Sequence, residues 1–198
     1  MQTFDIKGTK RECGGKKAAK ELRRNGNIPC IVYGGEEEIA FSVPEADFRG
    51  LIYTPNVYIV NLTVDGKAMK AILKDIQFHP ISERILHVDF LQISDDKPVT
   101  IGVPLNIVGH SEGVKAGGKL QVEMRKLNVK GLVANLPDVL DVDITNLGLG
   151  QVIKVGDLHY DNLDILNAKS AVVAAVKSTR AAVAAAAAAA ADATAAKK

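Results

Sequence analysis

Tryptophan is absent from this 198-residue chain, and the aromatic share is only 5%. Its core must therefore be mostly valine, isoleucine and leucine, in one or two domains. Only two cysteines occur, Cys13 in a basic stretch and Cys30 in an apolar one, so a disulfide has little support. The start MQTFDIKG lacks the apolar segment of a secretory signal, and no run is long and apolar enough to span a bilayer. The expectation is a soluble, cytoplasmic protein in a reducing compartment. His79, His87, His110 and His159 have no companion cysteines at zinc-finger spacing, so no metal site is expected. No reactive serine or cysteine signature accompanies His87-x-Asp89, so neither a catalytic set nor a cofactor is expected, and the chain does not read as an enzyme. Gly113–Lys119 fits G-x-x-x-x-G-K, but Leu120 offers no hydroxyl to magnesium and a strand-like alternation follows. A loop between strands is the better reading there.

Acidic residues are also scarce in one place. Between Lys7 and Arg24 stand eight basic residues and two acidic ones, a local +6 in a chain of net charge +2. Concentrated positive charge implies an anionic partner held at one place. Residues 16–24 have helical spacing, and Lys16, Lys17, Lys20, Arg23 and Arg24 fall within an arc of about 120°. Ala18, Ala19 and Leu22 make a small apolar stripe opposite. Asn25-Gly26 supplies the stop, and Gly14-Gly15 opens the basic loop before the helix. Such an arc is either a solvated face or a phosphate-binding one.

The chain in order reads as strand 2–7, the basic helix, strand 28–33, an acidic turn at Glu36–Glu38 and strand 39–43. A short helix follows Pro44, with Phe48, Leu51 and Ile52 on its apolar face. A hairpin comes next, 56–64 and 67–73, turning at Asp65-Gly66. After a loop at His79-Pro80, residues 85–93 form a closing strand. Six strands with two short helices in 93 residues suggest a small closed barrel. Ser94–Pro98 reads as a linker. Beyond it, residues 99–180 carry nine basic and eight acidic residues and show strands without evident helices. Pro104 suggests an edge strand, and a shift of phase between Met124 and Leu127 suggests a bulge. The expected fold is thus mainly β, an N-terminal barrel over 1–93 followed by a sandwich-like all-β region over 99–180. An alanine-rich tail, 181–198, has no amphipathic face to anchor a helix.

The run GKKAAKELRRNGNIPCIVYGG at 15–35 and the run KDIQFHPISERILHVDF at 74–90 resemble the two signatures of the bacterial large-subunit ribosomal protein L twenty-five family, in its long CTC or general-stress form. That resemblance implies an N-terminal barrel that binds 5S ribosomal RNA in the central protuberance, with neighbouring ribosomal proteins as partners of the C-terminal region. It implies an RNA contact set of Arg11, Lys16, Lys20, Arg23, Tyr33, Lys74, His87 and Asp89. Glu21 stands where relatives carry a basic residue, and Lys74 departs from the common pattern. Lys10 and Lys17 are substitutes on the same face. From the residues alone, His87 and Asp89 are either a hydrogen-bonded pair on one strand face or an RNA contact. Tyr33 is either a barrel-rim aromatic or a stacking group. The rival readings are another RNA-binding barrel, of the kind that binds tRNA anticodons, and a stress-related interaction protein acting off the ribosome.

Overall fold

The structure, a computed structural model, describes residues 1–12, 14–35, 37–94, 97–160 and 162–180. Cys13, Glu36, Asp95 and Asp96 of the expected linker, and the alanine-rich tail lie outside the described residues. Contacts group the chain into two compact units, Met1–Ile101 with Lys130–Asp138, and Gly102–Val129 with the chain from Val139 onward.

In the first unit β1 (Gln2–Lys10), β2 (Asn27–Tyr33), β3 (Ile39–Pro44), β4 (Tyr58–Val64), β5 (Lys67–Phe78) and β6 (Ile85–Gln92) close a barrel in the order β1-β3-β2-β6-β5-β4. β6 completes the barrel. It lies between β2, in parallel, and β5, antiparallel, while β1 and β4 close the barrel as a parallel pair from Gln2–Tyr58 to Gly8–Val64. Val88 and Phe90 of β6 are fully buried, and pairing on both sides satisfies its backbone groups. β1 also runs three residues beyond the expected 2–7, so Lys7 and Lys10 belong to a strand rather than to a loop. Gly8 permits that extension, because a Cβ there would come within 2.5 Å of the Phe41 ring.

Three phenylalanines do the work a tryptophan would otherwise do. Phe90 sits 5.8 Å from Phe41 and 6.4 Å from Phe48, centroid to centroid, inside a shell of Ile6, Val32, Val43, Val60, Leu62 and Val88. A 3₁₀ turn at Glu45–Phe48, continued by α2 (Arg49–Ile52), brings Phe48 and Leu51 into that core, as the apolar spacing after Pro44 predicts. Asp65 and Gly66 both adopt positive φ, 46° and 83°, the geometry of a two-residue hairpin turn whose twist matches the strands.

The chain beyond the barrel carries two sheets. One has the order β10-β7-β9-β12, from β10 (Leu140–Asp143), β7 (Val99–Val108), β9 (Lys126–Gly131) and β12 (Asp164–Ile165). The other is β11-β13-β8, from β11 (Val152–Lys154), β13 (Val172–Lys177) and β8 (Lys119–Val122). Val142 of the first, with Ile144 just past its strand, packs with Val176, Leu120 and Ile153 of the second, a sandwich-like core.

Two expectations fail here. β7 is flanked on both sides, so Pro104 does not mark an edge. It is tolerated because pairing with β10 begins one residue later, at Leu105, whose own amide donates instead to Arg125 on the other side. The phase shift near Met124 falls where the amides of Glu123 and Met124 both donate to the Val173 carbonyl, two residues facing one as in a bulge, and residues 123–125 carry the chain from β8 in one sheet to β9 in the other. A helical turn, α3 (Glu112–Lys115), capped by Ser111, occupies the start of the G-x-x-x-x-G-K segment. The segment is thus helix then strand, the reverse of a phosphate-binding loop and more than a plain connection.

Candidate nucleic-acid interface

The cationic stretch folds locally as its spacing predicts. α1 (Lys16–Arg24) ends at Asn25, and Gly26 takes φ 76°. No side chain caps its start, no acid stands in its first turn, and none of its residues is buried. Lys16, Lys17 and Lys20 are exposed, as are Lys10 and Glu21. The face toward the barrel is rotated from the expected stripe. Ala19, Leu22 and Arg23 are half-buried, whereas Ala18 is exposed. Arg23 accounts for the rotation, since its Nε donates to the Leu86 carbonyl at 2.9 Å, tying the helix to β6. A long arginine stem covers apolar surface while its head finds an acceptor.

The outer face of β2, β6 and β5 carries the other expected residues. His87 Nδ1 lies 2.5 Å from Asp89 Oδ1, both half-buried. A carboxylate accepts, so a ring proton sits on Nδ1. Across the strands, Asp89 faces Ile31 on β2 and Asp75 on β5, and His87 faces Gln77. Two carboxylates placed directly opposite repel, and no fold-stabilising reason for that pairing is visible. The Tyr33 phenol, two residues along β2 from Ile31, is pushed above its ordinary pKa by burial, with the charges of Asp89 and Asp75 adding to it.

Arg11 extends the same row. Its amide donates to Ala40 at 2.9 Å, and Ala40, Ile31 and Asp89 are successive cross-strand neighbours. Three strand steps of the closed six-stranded barrel separate Arg11, just past β1, from Asp89 on β6. Arg11 Nε is buried and has no hydrogen-bond partner among the described residues.

Lys74 is exposed at a register shift between Leu73 and Asp75. The extra residue re-phases β5, so Leu73 faces the core while Asp75 and Gln77 join the outer row. Sequence reasoning passed over Asp75 and Gln77 for that reason: regular alternation does not announce a bulge. The structure therefore gathers Tyr33, His87 and Asp89 on one face with α1 tied alongside, places Arg11 at the end of the Asp89 row, and leaves Lys74 on the bulge at its margin.

Such a surface can hold phosphates with Lys and Arg and offer carboxylate, amide, imidazole and phenol groups to base and ribose edges. Among the described residues no group of three or more His, Cys, Asp and Glu could hold a metal ion. No helix of the described residues is long and apolar enough to cross a membrane.

Comparison with known proteins accords with this surface. Residues 6–90 match the Ribosomal L25p family, and residues 98–180 match the C-terminal domain of ribosomal protein TL5. The large ribosomal subunit protein bL25 of Porphyromonas gingivalis is 54% identical over 179 residues, covering 89% of this chain and 93% of the relative. Its counterpart in Bacteroides fragilis is 52% identical over 182 residues, with the same coverage. That of Parabacteroides distasonis is 46% identical over 182 residues, covering 89% and 94%. The chain belongs to the bL25 family of bacterial large-subunit ribosomal proteins, in the long form that carries a TL5-type C-terminal domain.

Proposed function

We propose that this protein is a structural, non-enzymatic component of the large ribosomal subunit in the cytoplasm, and that it binds 5S ribosomal RNA in the central protuberance. The contact set is Arg11, Lys16, Lys20, Arg23, Tyr33, Lys74, His87 and Asp89. One observation carries the reading: an uninterrupted cationic helix side is tied by Arg23 to β6, the strand that presents His87 and Asp89. Positive charge and edge-reading groups thus meet the same ligand in fixed register. An RNA internal loop suits such a surface, because its non-Watson–Crick pairs widen grooves and expose base edges that regular A-form RNA hides. Lys16, Lys20 and Arg23 fix position through phosphates; His87, Asp89 and Tyr33 read shape and edges. Residues 1–93 act as the RNA-binding domain, 94–98 as a linker, and 99–180 as the region that meets neighbouring ribosomal proteins.

The test is sedimentation of a cell lysate at low salt, followed by capture of the chain and sequencing of the bound RNA. Co-migration with the large subunit and enrichment of 5S RNA are expected. Migration at the top of the gradient with no 5S enrichment sinks the proposal.

A further inference from the structure

Between the last turn of α1 and the turn that joins β5 to β6 opens a cleft of about 370 Å³. Lys20, Arg23 and Arg24 line it from the helix and Arg84 from the turn, facing a single carboxylate, Glu45. Of these four cations, none forms an ion pair among the described residues. Neither wall is loose. The His79 amide donates to the Arg84 carbonyl at 2.8 Å, the Glu83 amide donates to the His79 carbonyl at 2.9 Å, and His79 Nδ1 accepts from the amides of Ile81 and Ser82 at 3.3 and 3.2 Å. Arg23 Nε holds the opposite wall to Leu86. Four cations crowded around one concavity repel one another in the free protein, and an anion seated between them relieves that repulsion. Because the turn's hydrogen bonds fix one wall and the Arg23–Leu86 bond the other, seating it costs little ordering entropy.

We propose that this cleft is a second phosphate site, which seats the backbone of the same RNA so that α1 is gripped along two sides. The inference rests on the RNA-binding reading above and adds Arg24, Arg84 and Ser82 to the contact set. Continuity favours RNA as the occupant, since Lys20 and Arg23 line the cleft and also belong to the cationic arc of α1. Ile81, 88% exposed at the tip of the turn, is the feature that would suit an acidic protein instead.

The experiment titrates the full-length chain with a 5S RNA transcript and with an unrelated RNA duplex at several salt concentrations. Arg84→Ala and Arg24→Ala should each weaken binding at least about threefold on both RNAs and make the salt dependence shallower by about one unit. Arg84→Lys should restore most of the loss. Ser82→Glu sets a carboxylate at the cleft while keeping the backbone amide that His79 holds; it should weaken binding comparably, and it decides the matter if Arg84→Ala disturbs the turn. Wild-type affinity in Ser82→Glu and in a normally melting Arg84→Ala overturns the cleft alone, and capture of an acidic peptide lost in Arg84→Ala would then assign it to a protein. A wild-type chain that binds neither RNA, at any salt, overturns the RNA-binding reading and the cleft with it.

Discussion

At the scale of single residues, His87 carries the heaviest assignment. Its hydrogen bond to Asp89 fixes the ring on the outer face of β6, so losing it should cost recognition more than charge. His87→Ala is expected to reduce the preference for 5S RNA over a generic duplex by about 1–3 kcal/mol, with little change in salt dependence. Melting of the free variant provides the control: a collapsed melting temperature with undiminished preference in the remaining folded fraction would make His87 structural only. Cys30 behaves oppositely, being buried with a thiol whose pKa is pushed far up from 9.0, mainly by desolvation. The unfolded chain then ionises first, and stability present below pH 9 is lost as pH rises past it. Above that pH the loss is about 1.4 kcal/mol per pH unit from this group. Urea unfolding of wild type and Cys30→Ala across pH 7–10.5 should show that increment only in wild type; parallel curves refute it.

At the scale of elements, α1 is a helix that its own sequence supports poorly. It has nine residues, no side-chain cap, and lysines rather than acids in its first turn, where the helix dipole disfavours them. Its hold on the barrel passes through Arg23. Arg23→Lys keeps the charge but loses the Nε hydrogen bond to Leu86, so it should destabilise the helix–barrel contact by about 1 kcal/mol. The salt dependence of RNA binding should stay near that of wild type. Hydrogen exchange across 16–24 reads the first effect and titration the second; unchanged protection would mean the bond does not hold the helix. Periodicity located this helix to the residue but rotated its buried face wrongly, because a wheel of hydropathies counts arginine as outward. Nor did alternation foresee the β5 bulge that sends Asp75 and Gln77 outward beside the residues chosen from the signature.

At the scale of the whole molecule, charge is segregated. If five or six phosphates are neutralised, log K should fall with log salt at a slope of roughly −4 to −5. A slope shallower than about −2 removes α1 as the main contact. All the proposed RNA contacts precede the Ser94–Pro98 segment, so a fragment of residues 1–94 should bind 5S RNA within about tenfold, roughly 1.4 kcal/mol, of the full chain. A larger loss would show that later residues, among them 130–138, which group with the first unit, are needed for the RNA-competent fold.

Sequence by itself determined what depends on neighbours along the chain: the 3.6-residue spacing of α1, the stop at Gly26, the Asp65-Gly66 turn, the apolar runs of the strands and the local +6 between Lys7 and Arg24. Each is a local steric or electrostatic preference, written in adjacent residues. Only the tertiary structure decided that β6 lies between β2 and β5, that β7 is interior despite Pro104, and that Arg84 faces Arg24 across a cleft. Those outcomes depend on which buried edges find partners, and competition among strands far apart in sequence settles that question only when the barrel closes.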